Sequence, residues 1–198
     1  MDNPDKPVVT DDGRMLQPQG HEGIWFETEP DDPWGKYVWR SQKFVGDPLE
    51  LPVLGESEMS GTKFEGLSDY CNSEVKQRLE SIGFEKRRPL EYTNLMECGF
   101  RISPEDFFAD THFWISFWHT ATWKVGKEFA DDEIPKGWGM SDTYTLPTSY
   151  GGHECVSLLE ESDGRAIYLS TSELGAPAEL ESSCKRISYM RQLVDNIS

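Results

Sequence analysis

The chain has 198 residues, with 36 Asp and Glu against 19 Lys and Arg, a formal charge of −17, and 12 % aromatic side chains. Seven Trp, ten Phe and seven Tyr can each bury roughly 150–250 Å², which supplies a real core and excludes wholesale disorder despite the charge. No apolar stretch approaches the roughly 20 residues that cross a bilayer, and the negative charge opposes binding to nucleic acid or to an anionic membrane face.

Residues 1–22 carry Pro4, Pro7 and Pro18 and few apolar side chains, which predicts an extended N-terminal arm; residues 23–198 then read as a single α+β domain. The start, Met1-Asp2-Asn3-Pro4-Asp5, has neither a basic stretch nor an apolar one, so no ordinary export signal is expected. Ile24-Trp25-Phe26, and Lys36 through Val45, are rich in β-branched and aromatic residues and predict two strands joined by a wide acidic loop. Gly46 to Gly66 reads as a long loop with room for one short strand near Leu49–Leu54.

Cys71, Val75, Leu79 and Ile82 follow at spacings of 4, 4 and 3 and predict a helix near 73–82, with Asn72 or Ser73 capping its start and Gly83 ending it. A strand is expected at Leu90–Leu95, a short extended piece at Phe100–Ile102, and a two-turn helix opened by Ser103-Pro104-Glu105-Asp106. His112 to Val125 is the most apolar segment; its β-branched and aromatic content favours a strand over a helix. Glu154–Glu160 and Arg165–Thr171, separated by Glu161-Ser162-Asp163-Gly164, predict a tight hairpin. Leu180, Cys184, Ile187, Met190 and Val194 recur at 4, 3, 3 and 4 and predict a second main helix over about 178–196, with Pro177 near its start. Strands interrupted by a few helices, rather than strict βαβ alternation, give an α+β class: a mostly antiparallel sheet with two main helices packed on it.

The charge is uneven. Residues 1–60 carry 13 acids and 5 bases, 61–100 carry 7 and 6, and 101–198 carry 16 and 8. Runs form at Glu27, Glu29, Asp31 and Asp32, at Asp131, Asp132 and Glu133, and at Glu160, Glu161 and Asp163. The plain account of such runs is a solvated surface; the sharper one is a surface aimed at a basic partner, with association sped by long-range attraction. Trp34 sits among the carboxylates of its loop, and Trp138 lies a few residues beyond the second run, so both are candidate anchors for such a partner. The dense Trp114, Trp118 and Trp123 read as core.

Chemistry-bearing motifs are few. There is no GxGxxG, no GxxxxGK[ST] and no GxSxG. Cys71, Cys98, Cys155 and Cys184 include no CxxC pair and are expected to be reduced, mostly buried thiols, which gives a cytoplasmic address. Zinc needs three or four converging N or S donors. His153 and Cys155 would share one face of a strand, with His119 a third donor, and the same residues with Glu154 could serve a thiol nucleophile. Neither HExxH nor HxE…CxxC accompanies them, and no cofactor is expected.

Leu67-Ser68-Asp69-Tyr70, running through Val75, Leu79, Gly83 and Phe84 to Pro89-Leu90-Glu91-Tyr92, resembles the helix–glycine–strand stretch of some immunity proteins of bacterial toxin systems, over about 26 residues. The small, acidic, Trp-rich character of the chain fits the same class. The resemblance implies a non-enzymatic inhibitor that covers a cognate toxin; the acidic runs and their neighbouring indoles, not the resemblance, point to a basic toxin surface such as a nuclease domain and to Glu27, Glu29, Asp31, Asp32, Trp34, Asp131, Asp132, Glu133 and Trp138 as the residues that would meet it. Two alternatives stand beside it: a small metal- or Cys/His-dependent enzyme using His119, His153 and Cys155, or an acidic interaction module with no inhibitory role.

Overall fold

A computed structural model of the chain describes residues 3–55, 65–86, 96–102, 113–120, 143–147, 153–160, 166–173 and 180–198. Their architecture is α+β. Three helices, α1 (Pro33–Ser41), α2 (Ser73–Ser81) and α3 (Leu180–Ile197), accompany antiparallel strands. Strands β1 (Val8–Val9) and β2 (Met15–Leu16) make a small ribbon; β3 (Phe84–Lys86), β4 (Met96–Ile102), β5 (Phe113–Thr120), β6 (Thr143–Pro147), β7 (His153–Glu160) and β8 (Ala166–Glu173) make one sheet, in the order β3-β4-β5-β8-β7-β6. Every pairing within it is antiparallel.

The expected strand over Lys36–Val45 is instead α1 followed by a 3-10 turn, Gln42–Phe44. Asp32 caps the helix by accepting from the amides of Trp34 and Gly35, both at 2.9 Å, and Pro33 takes the first position, where a missing N–H costs nothing. Trp34, Tyr37, Val38 and Ser41 then fall at i, i+3, i+4 and i+7 and are all buried. A capped start with that stripe outweighs the strand preference of Tyr, Val and Trp. Helix α2 lies where its periodicity predicts, capped by the Asn72 side chain and ended by Gly83 at φ 109°.

Ile24–Phe26, expected as a strand, forms none and pairs with no strand among the described residues. Side-chain amides take a strand's place. Gln42 accepts from the Phe26 N–H and donates to the Phe26 carbonyl, both at 2.8 Å, so one glutamine imitates one peptide unit of a ladder. Gln192 of α3 accepts from the Ile24 N–H at 2.8 Å and donates to Asn196 at 3.1 Å, and Asn196 donates to Ser41 at 2.9 Å. Gln42, Gln192, Asn196 and Ser41 are buried, so the bonds among Gln192, Asn196 and Ser41 are made out of water and those to Ile24 and Phe26 are half-buried, where an orphaned amide is still costly. Gly23, at φ 96°, gives Gln192 its room: a Cβ there would lie 2.0 Å from its Oε1.

Helix α3 is sandwiched. Its buried face meets α1 and the 24–26 segment on one side and β7 on the other. Arg191 donates to the Leu158 carbonyl at 2.9 Å, and Ser183 accepts from the Cys155 N–H at 3.0 Å. The core gathers Trp34, Tyr37, Val38, Val75, Leu79, Phe84, Phe100, Ile167, Leu169, Ile187, Met190 and Leu193 between the helices and the sheet. On the opposite face of the sheet Val156, Leu158 and Ser170 are buried too. The C-terminal turn of α3 is tied by Leu49 N–H to Ile197 O at 2.9 Å, and by Arg78, which bonds Ile197 O and the backbone and carboxylate of Asp47.

The hairpin expected over Glu154–Thr171 is present as β7 and β8, with Glu160 opposite Ala166, and the apolar segment beginning at His112 contains β5. The strand expected at Leu90–Leu95, the helix opened by Ser103 and the Glu161–Gly164 turn lie outside the described residues.

The cysteine expectation is overturned. The structure pairs Cys71 with Cys98 and Cys155 with Cys184, at Cα separations of 5.7 and 4.7 Å, both ordinary for a disulfide. The partners stand 27 and 29 residues apart, so sequence spacing carries no signature of them; only the fold brings them together. The premise of reduced thiols, from which a cytoplasmic address was drawn, does not hold for this structure.

Replacing Gln42 by Ala removes the partner of both polar groups of the half-buried Phe26, and is expected to cost about 1–3 kcal/mol. Urea unfolding reads this as a lower midpoint, with Lys43→Ala, an exposed neighbour, moving it little.

Candidate functional site

The acidic segment from Glu27 to Asp32 follows directly on the backbone held by Gln42 and Gln192, and its four carboxylates divide into two kinds. Glu27 and Asp31 are exposed. Glu29 is exposed as well and lies 3.7 Å from Arg40 of α1, an ion pair in water whose worth is small. Asp32 is different: one oxygen caps α1, and the other bonds the Lys185 ammonium of α3. Its charge is spent inside the molecule.

The arm is fastened beside these acids. Met15 N–H donates to Glu27 O at 2.9 Å, and the Trp25 indole donates to Met15 O at 2.8 Å. The ribbon therefore brings Asp11 and Asp12, at its turn, to the same part of the molecule. Residues 3–32 hold eight acids and two bases, a net of −6. The Thr10 hydroxyl, with Arg14 adding to it, holds the Asp12 carboxyl below the usual carboxylate range, so that acid keeps its charge in mildly acidic solution.

Trp34 does not sit on this surface. Only 7 % of it is exposed, it belongs to the core cluster, and the Arg186 guanidinium lies 6.0 Å from its ring centre. The anchoring role expected of it is therefore withdrawn, for a physical reason: as the second residue of α1 it points along the helix's buried stripe. Asp131, Asp132, Glu133 and Trp138 lie outside the described residues.

The alternative metal or thiol site is not assembled. Cys155 is fully buried and bonded to Cys184, which leaves no thiol to ligate or attack. His119 stands level with Ile167, and Ile167 with Leu159, whereas His153 is at the far end of β7. Six residues of strand separate Leu159 from His153, on the order of 20 Å, so the register sets the two backbone positions far apart on the sheet. Among the described residues no group of three or more His, Cys, Asp or Glu is placed to hold a metal ion. Nor, among them, is any helix long and apolar enough to cross a membrane.

Sequence reasoning missed Lys185, which neutralises Asp32, and the glutamines that fix the segment bearing the acids. The Asp32-Pro33 pair was a legible signal for the cap. No local pattern, by contrast, announces a lysine 153 positions away. Comparison with protein-family models, with curated proteins and with solved structures finds no match to this chain.

The bond to Asp32 raises Lys185 above its ordinary 10.5, and burial raises the Tyr189 phenol, 5.5 Å from that ammonium, above 10.0. Both groups are more protonated in the folded state than in the unfolded one once pH passes those ordinary values, so both contributions are whole below about pH 10 and decline as pH climbs through the raised values. Stability measured from pH 8 to 12 is expected to fall from about pH 10 upward, and Lys185→Met with Tyr189→Phe to flatten that fall while leaving the curve below pH 9 parallel to that of the parent.

Proposed function

We propose that this chain is a non-enzymatic immunity protein that binds a cognate bacterial toxin and covers its active site. The observation that carries the reading is the placement of Glu27, Glu29 and Asp31, exposed just beyond a backbone stretch, Ile24–Phe26, that buried glutamines hold, beside an acidic ribbon fastened to Glu27. Exposed carboxylates complement the Lys and Arg with which a nuclease holds phosphates. The toxin is accordingly a protein with a basic surface, plausibly a nuclease domain. Asp131, Asp132, Glu133 and Trp138 form the second half of the proposed surface, with Trp138 in the anchoring role once Trp34 is assigned to the core.

We read the whole chain from residue 23 onward as one α+β domain, its helices packed on a mostly antiparallel sheet. No nucleic acid, membrane or cofactor enters this function. The two disulfides favour an oxidising compartment as its setting, since such bonds are rare where thiols are kept reduced.

The test is association with the toxin encoded beside the gene. A 1:1 complex is expected, with an on-rate that drops about tenfold or more between low and physiological salt. Glu27→Lys, Glu29→Lys and Asp31→Lys together should slow association further without lowering the unfolding midpoint. Salt-insensitive association, or unchanged rates in the triple variant, would refute the acidic surface; failure of the chain to protect cells from that toxin would refute the immunity role.

A further inference from the structure

We propose that the two disulfides have different duties: Cys155–Cys184 is a permanent staple, whereas Cys71–Cys98 is a redox-sensitive latch on the N-terminal end of α2. The difference lies in access. Cys155 and Cys184 are both 0 % exposed, between β7 and α3 at the centre of the core. Cys71 and Cys98 are only half-buried, packed against the edge of the core cluster. A thiolate must reach a disulfide sulfur to displace its partner, so the rate of opening follows exposure, and a bond sealed at the centre opens only when the protein does.

The latch holds a specific piece of structure. Cys71 stands in the turn that starts α2. Its N–H donates to the Asp69 carboxylate at 2.8 Å, and the Asn72 side chain bonds Asp69 O. The Asn72 carbonyl oxygen of that side chain accepts from Glu74 at 2.7 Å and Val75 at 3.0 Å, which is the cap of the helix. The bond from Cys71 to Cys98 ties this capping turn to β4, beside β3, into which α2 leads. Opening it frees the turn from the sheet. Val75, Leu79 and Ile82 stay in the core, so loosening is confined to the first turn of α2.

The chemistry balances with a dithiol reductant, either a small molecule or a thioredoxin-like protein. Its first thiolate bonds to one of the two sulfurs, the Cys71–Cys98 bond breaks, and the departing thiolate takes a proton. The reductant's second thiolate then attacks its own first sulfur, and the protein sulfur leaves as a thiolate and takes a proton. Two cysteine thiols form, and the reductant becomes a disulfide, with two electrons and two protons passing to the protein.

The intact oxidised chain, treated with dithiothreitol in native buffer and alkylated with iodoacetamide, decides the matter by peptide mass spectrometry. Labels are expected on Cys71 and Cys98 alone, with Cys155 and Cys184 labelled only after denaturant is added. Labelling of all four together, of Cys155 or Cys184 first, or of none would overturn the proposal, as would four free thiols in protein never reduced. Hydrogen exchange on the reduced protein should show the amides of residues 71–75 losing about tenfold in protection while α3 is unchanged; equal protection before and after would sink the latch. Cys71→Ser with Cys98→Ser should reproduce that exchange pattern, and if this variant fails to fold, labelling of the parent still decides. None of these readouts depends on toxin binding, so the latch and the immunity role fail separately.

Discussion

The arrangement of this protein depends on two glutamine side chains standing in for a β-strand. The half-buried backbone of Ile24–Phe26 has no neighbouring strand among the described residues, and peptide groups in that position must find partners or destabilise the fold. Gln42 answers both groups of Phe26 and Gln192 answers Ile24, while Asn196 and Ser41 complete the chain of bonds between α3 and α1. The same contacts set where the chain leaves the core and therefore where the acidic segment begins. A polar network of this kind tolerates few arrangements, because a half-satisfied version is worse than none.

How much of this was legible depended on whether a signal was local. The stripe Val75, Leu79, Ile82 and the repeat Leu180, Cys184, Ile187, Met190 and Val194 each lie within one helix, and both helices stand where the spacing put them. The alternation around Asp163-Gly164 likewise corresponds to β7 and β8. The strand expected from Lys36 through Val45 rests on aromatic and β-branched content, whereas the Asp-Pro start and the spacing of Trp34, Tyr37, Val38 and Ser41 decide for a helix. What no reading of the chain could reach was the long-range part: Lys185 meeting Asp32, Gln192 meeting Ile24, and the two cysteine pairs. α3 also exceeded its apolar stripe. Wedged between β7 and α1, it buries Ser183, Ser188, Gln192 and Asn196 on flanks that an amphipathic pattern assigns to solvent.

The candidate site shows the same division. Clustering of Glu27, Glu29, Asp31 and Asp32 is a fact of sequence, yet their roles differ by tertiary contacts. Trp34, read as an indole offered among carboxylates, proves to be the buried neighbour of a cap. An aromatic residue next to acids in sequence can turn away from them within one helical step, so proximity along the chain is poor evidence of a shared surface.

That division inside one short acidic run separates what can drift from what must stay. Glu27, Glu29 and Asp31 are exposed, so replacing one of them disturbs little of the interior. Asp32 cannot be replaced so lightly, since its two oxygens hold α1 and α3 in register. Substitution on the outward face therefore leaves the joint beneath it in place.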